Sequence, residues 1–280
     1  MLGKLLKYDM KALSRVLIPV HCAALVAGIG AIICFGGMFA VSNGYRDFSS
    51  PSSGSETALL ITCVMTGVFC LFALFMASAT TLFTLIYRFY KNLFSDEGYL
   101  TLTLPVSASM HVASKVIAGM IWFFVDILVV GSCAYFASMA ATGFSGDVTE
   151  TIPYVMLTAS LDFSSLNTVG WYLIAGFNAL LQVLTALLTA YAAFSLGSAL
   201  ASRHKVAAGI AFYFLLSWGA GLFHSIKSLF FMTNSAMNGF GEYQINTMLS
   251  VGISMILYVI TCVAFFALCT YVLDRKTNLA

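Results

Sequence analysis

Charge is what this chain has least of. Only 9% of its 280 residues are Asp, Glu, Lys or Arg, and 60% are hydrophobic. A soluble domain of this size carries about 25% charged and about 45–50% apolar residues. So little polar surface cannot cover a water-soluble globule, and an integral membrane protein is expected. The formal net charge is +2, with no basic patch outside the membrane flanks. Nucleic acid is therefore excluded as a partner.

Several chemistries are missing as well. No G-x-x-x-x-G-K-[ST] phosphate loop occurs, and no stretch is long enough for a soluble domain that could hold one. The seven cysteines (Cys22, Cys34, Cys63, Cys70, Cys133, Cys262 and Cys269) lie in apolar blocks, with no C-x-x-C pair. Neither a disulfide framework nor a zinc site follows, and small apolar packing residues are expected. His21, His111, His204 and His224 show no metal-ligand spacing and read as isolated interfacial or packing residues. "GFSG", Gly143–Gly146, matches the nucleophile motif of intramembrane serine proteases. It sits at a membrane edge beside Asp147, where a glycine-rich turn explains it better than a Ser145 nucleophile. No catalytic residue and no metal site are expected, and the chain is read as not an enzyme.

What is present is a set of long apolar blocks. A bilayer-crossing helix needs about 20 such residues, and six blocks qualify: 16–41, 58–87, 111–140, 170–200, 206–232 and 247–273. The first is far longer than the roughly 7–15 residues of a signal-peptide core, so a cleaved leader is not expected. Basic residues set the orientation. With the N-terminus inside, the cytoplasmic side collects Lys4, Lys7, Lys11, Arg15, Arg88, Lys91, Lys115, Arg203, Lys205, Arg275 and Lys276. Only Arg46 and Lys227 fall near the outer side, together with Asp47, Glu56, Asp147, Glu150, Asp162 and Glu242. The expectation is an all-α polytopic protein of the cytoplasmic membrane, a single transmembrane domain with both termini inside.

At about 100° per residue, Lys4, Lys7, Lys11 and Arg15 form one stripe, with Leu2, Leu5, Leu6, Met10, Leu13 and Leu17 opposite. Residues 1–15 are thus expected as an amphipathic helix in the headgroup region, leading into the first span. Asp9 falls toward the apolar side and needs a partner elsewhere.

Asp126 is the one acid deep in a span, within "IWFFVDILVV". A charge at the bilayer centre costs about 2.5–3.5 kcal/mol on insertion scales, so it must face protein or water. It either lines a substrate path or gate, or makes a buried hydrogen bond. Gly119, Cys133 and Ala137 share its helical face and suit close helix contact, and Gln182 lies at similar depth in the fourth span as a candidate partner.

Between the second and third spans, residues 88–110 form a cytoplasmic loop containing "SDEGYLTLTLP", Ser95–Pro105. Gly98 can end a helix that continues the second span. Alternatively Ser95 caps a new short helix whose first turn holds Asp96 and Glu97. The Leu100–Leu104 alternation, by pattern alone, says strand. Ser107 can cap the helix that becomes the third span.

The stretch "RFYKNLFSDEGYLTLTLPVSASMHVASK", with its Glu97-Gly98 pair, leucines, Pro105-Val106-Ser107 turn and Lys115, resembles the first cytoplasmic loop of ABC-2-type transporter permeases. The basic helix "LLKYDMKAL" is also similar to that family. The resemblance implies a coupling element docked on a separate ATP-binding subunit, which binds ATP-Mg; the permease holds no cofactor. It also implies a second permease, a copy or a paralogue, and export driven by ATP. On physical grounds Tyr99, Leu100 and Leu102 would be the buried anchors of that dock, with Asp96 and Glu97 supplying charge and Gly98 the turn. Two other classes fit the same spans: a non-transport membrane scaffold or regulatory subunit, and an ion-coupled secondary transporter. The second usually shows several midplane polar groups on broken, repeated helices.

Overall fold

The computed structural model describes residues 2–44, 54–95, 98, 106–141, 143, 166–201, 203–238 and 240–275. Among them every regular element is an α-helix: α1 (Leu2–Gly44), α2 (Gly54–Phe94), α3 (Ala108–Ala141), α4 (Leu166–Leu200), α5 (Lys205–Asn238) and α6 (Phe240–Arg275). All six are long and apolar enough to cross a membrane. Hydrocarbon offers a backbone no hydrogen bonds, and the helix satisfies every peptide group within itself. The chain is a helical, multi-pass membrane protein.

Each expected span lies inside one helix, and the helices overrun the spans. The 43 residues of α1 extend about 65 Å at about 1.5 Å per residue, roughly twice the ~30 Å hydrocarbon core. The basic N-terminal segment and the first span are one uninterrupted helix, continuous through Pro19. Within it Lys4, Lys7, Lys11 and Arg15 are exposed, while Asp9, Leu13 and Leu17 are buried. The leucine–threonine alternation from Leu100 to Leu104 lies outside the described residues.

The helices fall into two compact units. One comprises residues 1–9, 85–120 and 164–280, and α4 is its centre. Leu187, Ala190, Tyr191, Ala192, Ala193 and Ser195 are all essentially inaccessible. In its most apolar stretch 61% is buried, against 6% for α5 and 11% for α6. Alanine and glycine permit this crowding: a Cβ on Gly197 of α4 would meet the Gly209 backbone of α5 at 2.4 Å. The foot of α2 packs on α4 through aromatic rings. Phe89 stacks on Tyr191 with centroids 3.9 Å apart and planes 6° from parallel, and Tyr90 meets Phe194 edge-on at 6.1 Å. Lys227 of α5 donates to the Ser250 carbonyl and the Ser254 hydroxyl of α6.

The other unit comprises residues 10–84 and 121–163. Its core is Ala24, Leu74, Ala77 and Cys133, with Val20, Ala27, Val129 and Val130 packed around them. Gly28 makes room for Cys133, whose sulfur would lie 2.3 Å from a Cβ at that position. Gly143 closes α3: its N–H donates to the Ala140 carbonyl at 3.2 Å, and its φ of +68° is the left-handed turn at which helices commonly stop on glycine. The Phe39 ring occupies the space a side chain there would need. So the first glycine of "GFSG" is a helix terminator, while Ser145 lies outside the described residues. Outward faces of the helices carry large apolar side chains such as Phe69, Phe75, Phe83 and Trp218, as lipid contact requires.

Candidate functional site

Asp126 is 5% exposed, and three helices of its unit supply its surroundings. From α2, the Ser78 hydroxyl donates to Oδ2 at 2.7 Å. One turn on, the Thr81 hydroxyl lies 3.1 Å from Oδ1 and 3.2 Å from the Ala77 carbonyl, so its single proton is shared between the two. From α1, His21 Nε2 sits 3.2 Å from Oδ1, at ion-pair distance but without hydrogen-bond alignment. The other ring nitrogen, Nδ1, is 2.7 Å from the Leu17 carbonyl. Trp122, one turn before Asp126 on α3, lies with its ring centroid 5.8 Å from that of His21. Hydroxyl donors and an imidazole thus offset the cost of placing a carboxylate among apolar helices.

Gln182, the partner expected from depth, is not among the residues that this unit supplies to Asp126. Its side chain is exposed on α4, in the other unit. His21 is the member of this group that spacing rules passed over. The signal was present: between Val16 and Val41 it is the single side chain able to carry a positive charge.

A second polar cluster lies in the α4 unit. Lys115 Nζ donates to Asp9 Oδ1, and the Ser114 hydroxyl lies 3.1 Å from Asp9 Oδ2 and 2.9 Å from the His111 carbonyl. Asp9 and Lys115 are 7% and 8% exposed, a buried ion pair. This resolves the misplaced acid of the basic helix: its apolar-side position faces a lysine of α3.

Of the proposed docking residues, Gly98 is described; Asp96, Glu97, Tyr99, Leu100 and Leu102 lie outside the described residues. Helix α2 ends at Phe94, and the Ser95 hydroxyl donates back to the Lys91 carbonyl. The Gly98 N–H then donates to the Ser95 carbonyl at 2.7 Å. A Cβ on Gly98 would stand 2.7 Å from the Leu93 carbonyl oxygen, so only glycine lets the chain fold back this closely. The loop leaves α2 from a firmly packed base, with Leu93 and Phe94 buried. It rejoins helix at Ala108, where the Ser107 carbonyl accepts from Met110 and His111 and the Ser107 hydroxyl lies 3.1 Å from that of Ser109.

Among the described residues no group of three or more His, Cys, Asp or Glu is placed to hold a metal ion. No family model, no curated protein and no solved structure matches the chain.

Proposed function

We propose that this protein is the membrane-spanning subunit of an ATP-driven exporter, working with a separate ATP-binding-cassette subunit and with a second permease chain. The observation that carries the reading is the acidic-glycine loop between the second and third of six apolar helices. Acids beside an anionic membrane surface are unfavourable, whereas Asp96 and Glu97 flanked by Tyr99, Leu100 and Leu102 suit a protein partner. The tight fold of Gly98 on Leu93 supports a loop with a defined base, able to pass a push from the partner into α2 and α3. The absence of a phosphate loop from the sequence supports a partner subunit as the one that binds ATP. The basic face of the first turns of α1 supports a cytoplasmic N-terminus at the headgroups of the cell membrane.

The test is co-purification with an ATP-binding-cassette ATPase from the same source. Complex formation lost on replacing Tyr99, Leu100 and Leu102 together by serine is the expected result. Retention of the complex in that variant would remove the loop from the interface.

A second reading, ion-coupled carriage, draws on one observation: the buried His21–Asp126 contact at 3.2 Å, since ionisable groups inside spans mark ion and proton paths. Transport in vesicles separates the two. Dependence on ATP favours the exporter, and dependence on an imposed proton gradient without ATP favours the carrier.

A further inference from the structure

We propose that His21 and Asp126 together form a proton-binding site inside the membrane, the bound proton sitting on His21 Nε2 and the Asp126 carboxylate supplying the opposite charge at 3.2 Å. The inference goes beyond the exporter reading and requires only the geometry of the α1–α2–α3 unit.

Proton counting leads to it. His21 Nδ1 lies 2.7 Å from the Leu17 carbonyl; a carbonyl has no proton to give, so Nδ1 carries one. The neutral imidazole is then complete, and Nε2 bears a lone pair unless a second proton is bound. That nitrogen faces a carboxylate oxygen at 3.2 Å, and two lone pairs at this distance repel. On the far side Ser78 donates to Oδ2, and Thr81 has Oδ1 within reach. Both carboxylate oxygens thus have a hydroxyl as neighbour. The arrangement is complete when one proton occupies Nε2: an imidazolium faces a carboxylate, and the pair is neutral overall. When that proton leaves for bulk water, the imidazole is neutral and the site keeps one uncompensated negative charge.

Within the membrane stretches of the unit no other formally charged side chain can take over the balance. Across Val16–Val41, Thr57–Thr84 and Ile121–Ala141, the membrane stretches that build this unit, His21 and Asp126 are the only residues of the Asp, Glu, Lys, Arg and His types. Arg15 and Lys11 of α1 are exposed, α2 faces the pair with hydroxyls, and α3 adds Trp122 and, two turns on, the thiol of Cys133. Tyr135 of α3 is exposed. An uncharged surrounding makes occupancy of this single proton decide whether α1 attracts α3 at this level. Proton binding and helix packing are therefore linked: whatever loosens the α1–α3 contact changes the site's affinity for its proton, and the reverse.

Trp122 is a built-in reporter, because an imidazolium against an indole quenches its fluorescence and a neutral imidazole does so far less. The experiment uses the full chain in lipid vesicles with Trp171 and Trp218 replaced by phenylalanine, leaving Trp122 as the one emitter. Emission is followed over about pH 5 to 8, the range in which imidazole changes charge. A single sigmoidal loss of emission on acidification is expected. It should vanish in His21→Gln, and in Asp126→Asn, where an imidazolium would have no counter-charge. Size-exclusion elution and helical circular dichroism unchanged from the parent establish that each variant is folded. Emission independent of pH in the parent would overturn the site. So would a transition that survives in His21→Gln, or one that survives in Asp126→Asn and so takes the carboxylate out of the site.

Discussion

Asp9 and Lys115, 106 residues apart in sequence, meet as a buried ion pair that fastens the opening turns of α1 to the beginning of α3. Such a pair adds little net stability, but breaking it by removing one member leaves an uncompensated buried charge. Asp9→Ala or Lys115→Ala should each cost about 3–5 kcal/mol. The Asp9→Leu/Lys115→Met double variant should recover most of that loss. Thermal unfolding in detergent checks both, and a double variant no more stable than the singles would contradict the pairing.

The fold-back at Gly98 makes a second prediction. Any side chain there meets the Leu93 carbonyl, which belongs to backbone and cannot rotate away. Gly98→Val should destabilise the protein by about 1–3 kcal/mol, the usual range for overpacking. Gly98→Ala should fall at the lower end. Equal melting temperatures for wild type and Gly98→Val would show that the turn is not held against α2.

Gly143 combines a left-handed backbone with a neighbouring ring. Gly143→Ala should cost at least the roughly 1–2 kcal/mol of a non-glycine residue in that conformation. Adding Phe39→Ala should relieve the steric part and leave the backbone part. A double-mutant cycle of unfolding free energies reads the two contributions separately.

The ring stack of Phe89 on Tyr191 ties the foot of α2 to the central helix α4. Phe89→Ala should cost about 3–5 kcal/mol, and Phe89→Leu distinctly less, because much of the apolar volume is kept. Thermal unfolding of the two variants side by side tests this ordering.

Orientation can be read directly. In a cysteine-free background, a cysteine placed at Lys4 or Lys276 should resist a membrane-impermeant thiol reagent added to intact cells, and one placed at Ser53 should react. Labelling of Lys4→Cys from outside would invert the proposed topology.

The spans were legible in the sequence because the bilayer imposes a length and a composition that hydropathy reads directly. All six expected blocks lie within α1 to α6, although the helices continue past them, since hydropathy marks hydrocarbon and not the end of hydrogen bonding. The polar contacts were less legible. Depth along a span offered Gln182 as a partner for Asp126, but depth alone could not name Ser78, Thr81 and His21, because it says nothing of how each helix is rotated. Ser78 and Thr81 looked like ordinary small polar residues of a span, and His21 like one histidine among four scattered ones. Their convergence depends on the packing of α1, α2 and α3, which Ala24, Ala77, Gly28 and Cys133 permit by being small. Asp9 was visible as an acid on the wrong face, and its misfit pointed to a partner without naming it.

The companions of Asp126 have one further consequence, for the order in which the chain is made. Leu17, His21, Ser78 and Thr81 all precede it, so a ribosome delivering α3 to the membrane does so after α1 and α2 have emerged. The acid has its donors waiting and need not spend time facing lipid alone. On α4 the hydroxyls of Thr185, Thr189 and Ser195 bond to carbonyls one turn back on their own helix. That helix can enter the bilayer before α5 and α6 exist. The Asp126 carboxylate and the α4 hydroxyls thus each have hydrogen-bond partners by the time their own helix is delivered.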